Sequence, residues 1–140
     1  IYNYANELGV LNNNLFFIRE LPKNYIVNIY SAASVCTSLF LPLKEMEANS
    51  ANKFFDALAA GKPIMINYKG WQAKLIEEYN VGIVAPSNNA TLSAKELEAL
   101  ISDKKRLSSN GKAAKELASK YFDRDKLYRS FESVFLGVSN

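Results

Sequence analysis

NSANKFFDALAAGKPIMIN, residues Asn49–Asn67, decides how this 140-residue chain is read. The polar pair Asn49-Ser50 leads into a short amphipathic helix over Ala51–Ala60. Phe54 and Leu58 stand at i,i+4, as do Phe55 and Ala59. Gly61 ends the helix and Pro63 opens an apolar strand, Ile64–Tyr68. The first amides of a helix have no intrahelical acceptor, and the dipole makes that end favour anions. Here the first turn comes from Ser50, Ala51, Asn52 and Lys53. Ser50 and Ala51 are small enough to let a diphosphate reach the backbone. Asn52 adds an amide donor and Lys53 a point charge. Asp56 lies one turn beyond Asn52 on the same face. Its carboxylate there can accept hydrogen bonds from both hydroxyls of a ribose, each worth roughly 1.5–3 kcal/mol. An ordinary capped helix, with Lys53 in solvent and Asp56 on a polar face, fits the same local pattern, so both remain open.

Working outward, strands and helices alternate. Tyr4 and Leu8 predict a helix over Ile1–Leu8 that stops at Gly9, and Asn12–Asn14 a turn. Leu15–Arg19 reads as a short strand. Pro22 introduces a helix over Lys23–Ala33, and Ser34–Leu41 reads as a buried strand ending at Pro42. Asn24–Leu43 is long and uncharged but carries Asn28, Ser31, Ser34, Thr37, Ser38 and Pro42. It reads as a buried helix turning into a buried strand rather than a membrane span. Lys44–Ser50 is expected to be a polar loop. Beyond the central segment come a helix from Trp71 to Tyr79 and a strand over Gly82–Ala85. Ser93, with Glu96 three residues on, is expected to cap a helix over Ala94–Ser102. Helices over Lys104–Tyr121, with Gly111 its weak point, and Arg124–Leu136 complete the chain. Near-continuous apolar strands alternating with helices imply α/β architecture, a Rossmann-like parallel sheet with helices on both faces and a helical C-terminal tail. Ligands of such sheets bind beyond the strand C-termini, where the Pro42–Ser50 segment lies.

Composition bounds the chemistry. The aromatic share of 12% and the charged share of 22% suit one ordinary core-forming domain. A net charge of +3 is too small to argue for nucleic acid, and none is expected as a partner. Nine basic and three acidic residues fall between Lys104 and Arg129. That bias suits a solvated helical face, or a face resting on an anionic membrane or another domain. Cys36 is the single cysteine, set among apolar residues as a buried thiol. The chain holds no histidine, which excludes Ser-His and Cys-His catalysis and histidine-held metals within it. No signal peptide is visible. A start at Ile1, inside a helical pattern, leads to the expectation that this is a piece of a longer protein.

DALAAGKPIMI, with the preceding ELGVLNNNLFFIRELPKNYIVNIYSAASVCTSLFLP and the following GWQAKLIEEYNVGIVAP, resembles the donor-binding half of GT-B glycosyltransferases. The similarity is notably to the large retaining family that includes capsule and O-antigen enzymes, and it covers Glu7–Pro86. It implies a partial C-terminal donor-binding domain over residues 1–140, with an α/β part over about 1–103 and a helical tail over about 104–140. By that resemblance, Asp56 matches the second acid of a paired-acid motif and binds the nucleotide ribose. Ala51 and Asn52 match the positions whose amides hold the diphosphate. Arg19, Glu20 and Leu21 match the loop beside the nucleobase. Asn49, Ser50 and Lys53 resemble a subgroup's loop that touches phosphate or donor sugar. The first acid of the pair falls on Ala48, which has no carboxylate, while Glu47 is adjacent. The upstream strand, its basic residues and the whole acceptor domain would precede Ile1.

The implied function is the nucleotide-sugar-binding part of a glycosyltransferase of polysaccharide biosynthesis, in the cytoplasm or at the inner face of the cytoplasmic membrane. Its substrate would be a nucleoside-diphosphate sugar, with no metal or other cofactor expected. Binding without turnover is expected of the chain alone. Trp71 could stack on a sugar or simply pack at a helix start. Expected partners are the donor, the acceptor domain and a peripheral membrane contact, and unpaired sheet edges leave self-association open. Two alternatives stand beside this one: a nucleotide-sugar epimerase of the same fold, weakened by the missing histidines, and a non-catalytic α/β binding module.

Overall fold

The computed structural model describes residues 1–137. Three short parallel strands form the sheet: β1 (Cys36–Ser38), β2 (Ile64–Ile66) and β3 (Gly82–Val84), in the order β1-β2-β3. Cys36 pairs with Ile64 and Ile64 with Gly82. The helices are α1 (Tyr2–Glu7), α2 (Lys23–Ala32), α3 (Asn52–Ala59), α4 (Trp71–Tyr79), α5 (Ala90–Ser102), α6 (Lys104–Tyr121) and α7 (Arg124–Phe135).

The strand alternation sorts the core into two layers. Ile64 and Ile66 bury one face of the sheet against Phe54 and Leu58 of α3, Ile76 of α4 and Leu117 of α6. Met65 and Ile83 bury the other face against Leu100 of α5. Helix α6 reaches both layers, with Ala114 and Leu117 on the first and Leu107 against the second. The expected α/β class, with a parallel sheet, helices on both faces and a terminal helix, is therefore what the chain forms. Val138–Asn140, the end of the expected tail, lie outside the described residues. No helix among the described residues is long and apolar enough to cross a membrane.

Close backbone approach fixes two junctions. Gly70 has φ 106°, and a Cβ there would stand 1.9 Å from the Glu47 carbonyl oxygen. Gly111, expected to be a weak point of its helix, is instead buried at a crossing, where a Cβ would lie 2.7 Å from the Gly61 carbonyl oxygen. Glycine therefore lets α6 settle onto the end of α3.

Four other expectations need correction. Leu15–Arg19 forms no strand, only one isolated bridge between Leu11 and Leu15. A strand needs a neighbour to satisfy its peptide groups, and among the described residues β1 has only β2 beside it. Phe17 packs instead on Tyr2, with ring centroids 5.7 Å apart. Lys44–Ala48 is a 3₁₀ turn rather than an open loop. Asn24–Leu43 is not buried throughout: Val27 is 65% exposed and Leu41 73%. The cap of α5 is Asn89, whose side chain accepts from the Leu92 amide, and the helix begins at Ala90 rather than Ala94. Ser93 Oγ donates to the Pro86 carbonyl at 2.9 Å and ties the helix to the end of β3.

Candidate functional site

Helix α3 starts beyond the C-terminal end of β1 and runs back along the sheet with two distinct faces. Phe54, Ala57 and Leu58 turn into the core. Asn52, Phe55, Asp56 and Ala59 turn outward and form one wall of an open cleft of about 820 Å³. The opposite wall is α2, through Ile26, Val27, Tyr30 and Ser31, and Lys115 of α6 closes one end. Asn52 and Asp56 thus share the cleft, as their i,i+4 spacing requires. Ala59 and Ala60, further along, leave the floor free of bulk.

The electrostatics of the cleft centre on Asp56. Its carboxylate is exposed. Tyr30, half-buried across the cleft, has its phenol pushed above the ordinary value, first by burial and then by the negative charge of Asp56. A phenol held protonated beside a carboxylate can donate to that carboxylate or to a bound hydroxyl. Lys115 adds the only positive charge among the described residues of the lining.

No side chain caps α3, whose N-cap is Ala51 in extended conformation. The first amides of the helix therefore keep their capacity for an anion. The approach to that end is pinned from behind. Trp71 Nε1 donates to the Asn49 carbonyl at 3.1 Å. The indole lies against Phe54 and Phe55, with centroids 6.0 and 5.9 Å away. Trp71 is thus a packed helix-start residue that positions the Asn49–Ala51 segment. Asn67 does similar work at the next loop. Its Oδ1 accepts from the Phe40 amide at 2.8 Å and its Nδ2 donates to the Phe40 carbonyl at 2.9 Å. The side-chain amide takes over from the β1–β2 ladder after the ladder has ended.

The other expected site residues are spread around this cleft. Lys53 and Ser50 are exposed, and Asn49 and Ala51 half-buried, at the helix approach rather than on the cleft wall. Arg19 and Glu20 are exposed and Leu21 is half-buried in the coil before α2, outside the cleft lining. Ala48 ends the 3₁₀ turn with its methyl group exposed, and Glu47 touches Gly70 through its backbone. Tyr30 and Lys115 were not expected at the site. The Ile26/Tyr30 spacing marks a shared helix face, and only the packing of α2 and α6 around α3 shows what that face meets.

The whole chain can now be placed. Residues 2–117 match the family of glycosyl transferases group 1. The chain belongs to that family, whose α/β domain is Rossmann-like and of the GT-B type, and glycosyl transfer is the chemistry of its class. Neither the curated proteins nor the solved structures give a significant match. Helix α7 lies beyond the matched residues.

Proposed function

We propose that this chain is the donor-nucleotide side of a glycosyltransferase acting in polysaccharide biosynthesis of the capsule or O-antigen kind. The carrying observation is that Asn52 and Asp56 face one cleft on a helix whose N-terminus no side chain caps. A nucleoside-diphosphate sugar laid along α3 puts its diphosphate at the Ala51 and Asn52 amides and its ribose hydroxyls on Asp56. Lys53, Asn49 and Ser50 stand beside the phosphates and the sugar. Arg19, Glu20 and Leu21, in the coil leading to α2, flank the base. As the glycosidic bond to the diphosphate breaks, charge builds on the leaving phosphate. The helix end and Lys53 stabilise that charge without reorganising, and no metal is called for.

Ala48 offers no carboxylate to the donor sugar, so sugar choice rests on other groups. Acceptor binding belongs to an acceptor domain, and the remaining basic groups to a further strand and helix of the donor-binding domain. The site works on the cytoplasmic side of the membrane, where nucleotide sugars are made. The chain by itself binds the donor without turning it over.

Titration of the ¹⁵N-labelled chain with uridine, guanosine, cytidine and thymidine diphosphates tests this. Saturable shifts at Ala51–Asp56 and at Arg19–Leu21 with one nucleotide are expected. Absence of shifts with every nucleotide would overturn the donor-site reading in favour of a non-catalytic module. Robust sugar transfer by the chain alone would overturn the division of labour.

A further inference from the structure

Helix α3 carries the donor cleft along its outer face and reaches a second depression at its C-terminal end. Asn52 and Gly61 are about 13 Å apart along a helical path. This basin, about 590 Å³, lies at the N-terminal edge of the sheet, where Ser34 precedes β1 and Pro63 precedes β2. Four lysines line it: Lys62, Lys104, Lys112 and Lys115. No carboxylate among its described lining residues balances them. Asp103, the nearest acid in sequence, accepts from the Arg106 amide at 2.9 Å as the cap of α6.

Like charges gathered in this way repel one another, and a solvated surface normally intersperses the two signs. Part of the repulsion is offset locally. Lys62 Nζ donates to the Ser31 carbonyl at 2.8 Å, at the C-terminal end of α2, where the helix dipole favours a cation. Lys104, Lys112 and Lys115 make no ion pair among the described residues of the lining. Lys104 and Ser108 come from the first turns of the long α6, whose N-terminus Asp103 caps. Hydroxyls of Ser34 and Ser108 supply neutral donors on opposite sides. Lysines bind phosphate as point charges through short, charge-assisted hydrogen bonds.

We propose that this basin is a second anion site, distinct from the donor cleft, that takes a phosphate-bearing ligand on Lys62, Lys104, Lys112 and Lys115. The phosphate comes either from a small soluble phosphate compound or from a lipid headgroup. Ser31, Ala60 and Lys115 border both depressions, whereas Lys104 and Lys112 line the basin alone, so the two sites can be separated at those two lysines.

The test uses the full chain, ¹⁵N-labelled at low ionic strength, titrated with pyrophosphate. In parallel it is co-sedimented with vesicles of pure phosphatidylcholine or of phosphatidylcholine with phosphatidylglycerol. The variant Lys104→Glu/Lys112→Glu is compared with Lys74→Glu/Lys95→Glu, which changes the same charge at exposed sites on α4 and α5. Saturable shifts at Gly61, Lys62, Ser108 and Lys112 with pyrophosphate, weakened at least tenfold in the first variant only, establish a soluble-phosphate site. Binding only to phosphatidylglycerol vesicles, lost in the first variant only, establishes a headgroup site. Absence of saturable binding in both arms, or equal weakening in both variants, overturns the proposal. Retained amide spectra show that the variants are folded. Nucleotide shifts at Ala51–Asp56 report separately on the donor cleft, so failure of either site is recognisable.

Discussion

Asp56 is the residue on which the proposed donor site depends, and its role and its place in the fold separate cleanly. The carboxylate is exposed in the cleft and holds nothing in the core. Asp56→Asn should therefore leave the unfolding midpoint nearly unchanged. It removes charge-assisted bonds worth roughly 1.5–3 kcal/mol each, so nucleoside diphosphate affinity should fall by about tenfold to a hundredfold in calorimetry. Unchanged affinity would move the ribose elsewhere. Cys36 makes a second prediction. Burial pushes its thiol above the ordinary value, with Lys62 pulling only weakly the other way. The folded state then holds its proton at a pH where the unfolded chain has lost it. That contribution to stability is complete below the unfolded thiol value and is lost as pH rises through the folded value. Reaction with iodoacetamide should be slower than for a free thiol at pH 8.5, and its pH profile should shift upward. A profile matching that of a small thiol would refute the burial. The i,i+4 pair Asn52/Asp56 was legible in the sequence because a helix fixes which residues share a face. Tyr30 and Lys115 were not, because their meeting with Asp56 depends on how α2 and α6 pack.

Among the elements, legibility follows the strength of the local signal. The bounds of α4 and α6 agree with the sequence pattern, since Gly70, Asn80 and Asp103 punctuate them. The cap of α5 was misplaced because Ser93 and Glu96 look like a capping box, whereas Asn89 reaches the amides first. Leu15–Arg19 shows strand composition without a partner strand, and composition alone does not satisfy peptide groups. Gly111 is the most instructive case. By helix propensity, Gly111→Ala should stabilise α6 by about 1 kcal/mol. The contact with the Gly61 carbonyl reverses the sign, because the methyl would press on backbone that has no rotamer to give. Overpacking of this kind costs about 1–3 kcal/mol. Gly111→Ala should lower the urea midpoint, while Ser109→Ala, on the exposed side of the same helix, should leave it level or raise it. A rise for Gly111→Ala would show that α6 does not rest on Gly61 in solution.

At the scale of the whole molecule, the sheet is narrow for the surface it has to organise. Among the described residues β1 pairs on one side only, and its outer edge offers free peptide donors and acceptors. Phe16 and Ile18, in the coil that forms no strand, are exposed, as are Leu39 and Leu41 after β1. An unpaired edge beside exposed apolar side chains is a template for a second chain. We therefore predict that the chain self-associates through this region in a concentration-dependent way. Sedimentation velocity from micromolar to hundreds of micromolar should show a rising weight-average coefficient. Leu39→Lys and Leu41→Lys place charge directly after β1 at exposed positions, and together they should return the chain to a single monomeric boundary. The exposed apolar face of α7, with Leu127, Tyr128 and Phe131, gives the contrasting outcome. If Leu127→Lys/Phe131→Lys abolishes association and the edge variants do not, the contact belongs to the terminal helix and the sheet edge is already protected. A monomer at every concentration would mean that neither surface recruits a second copy.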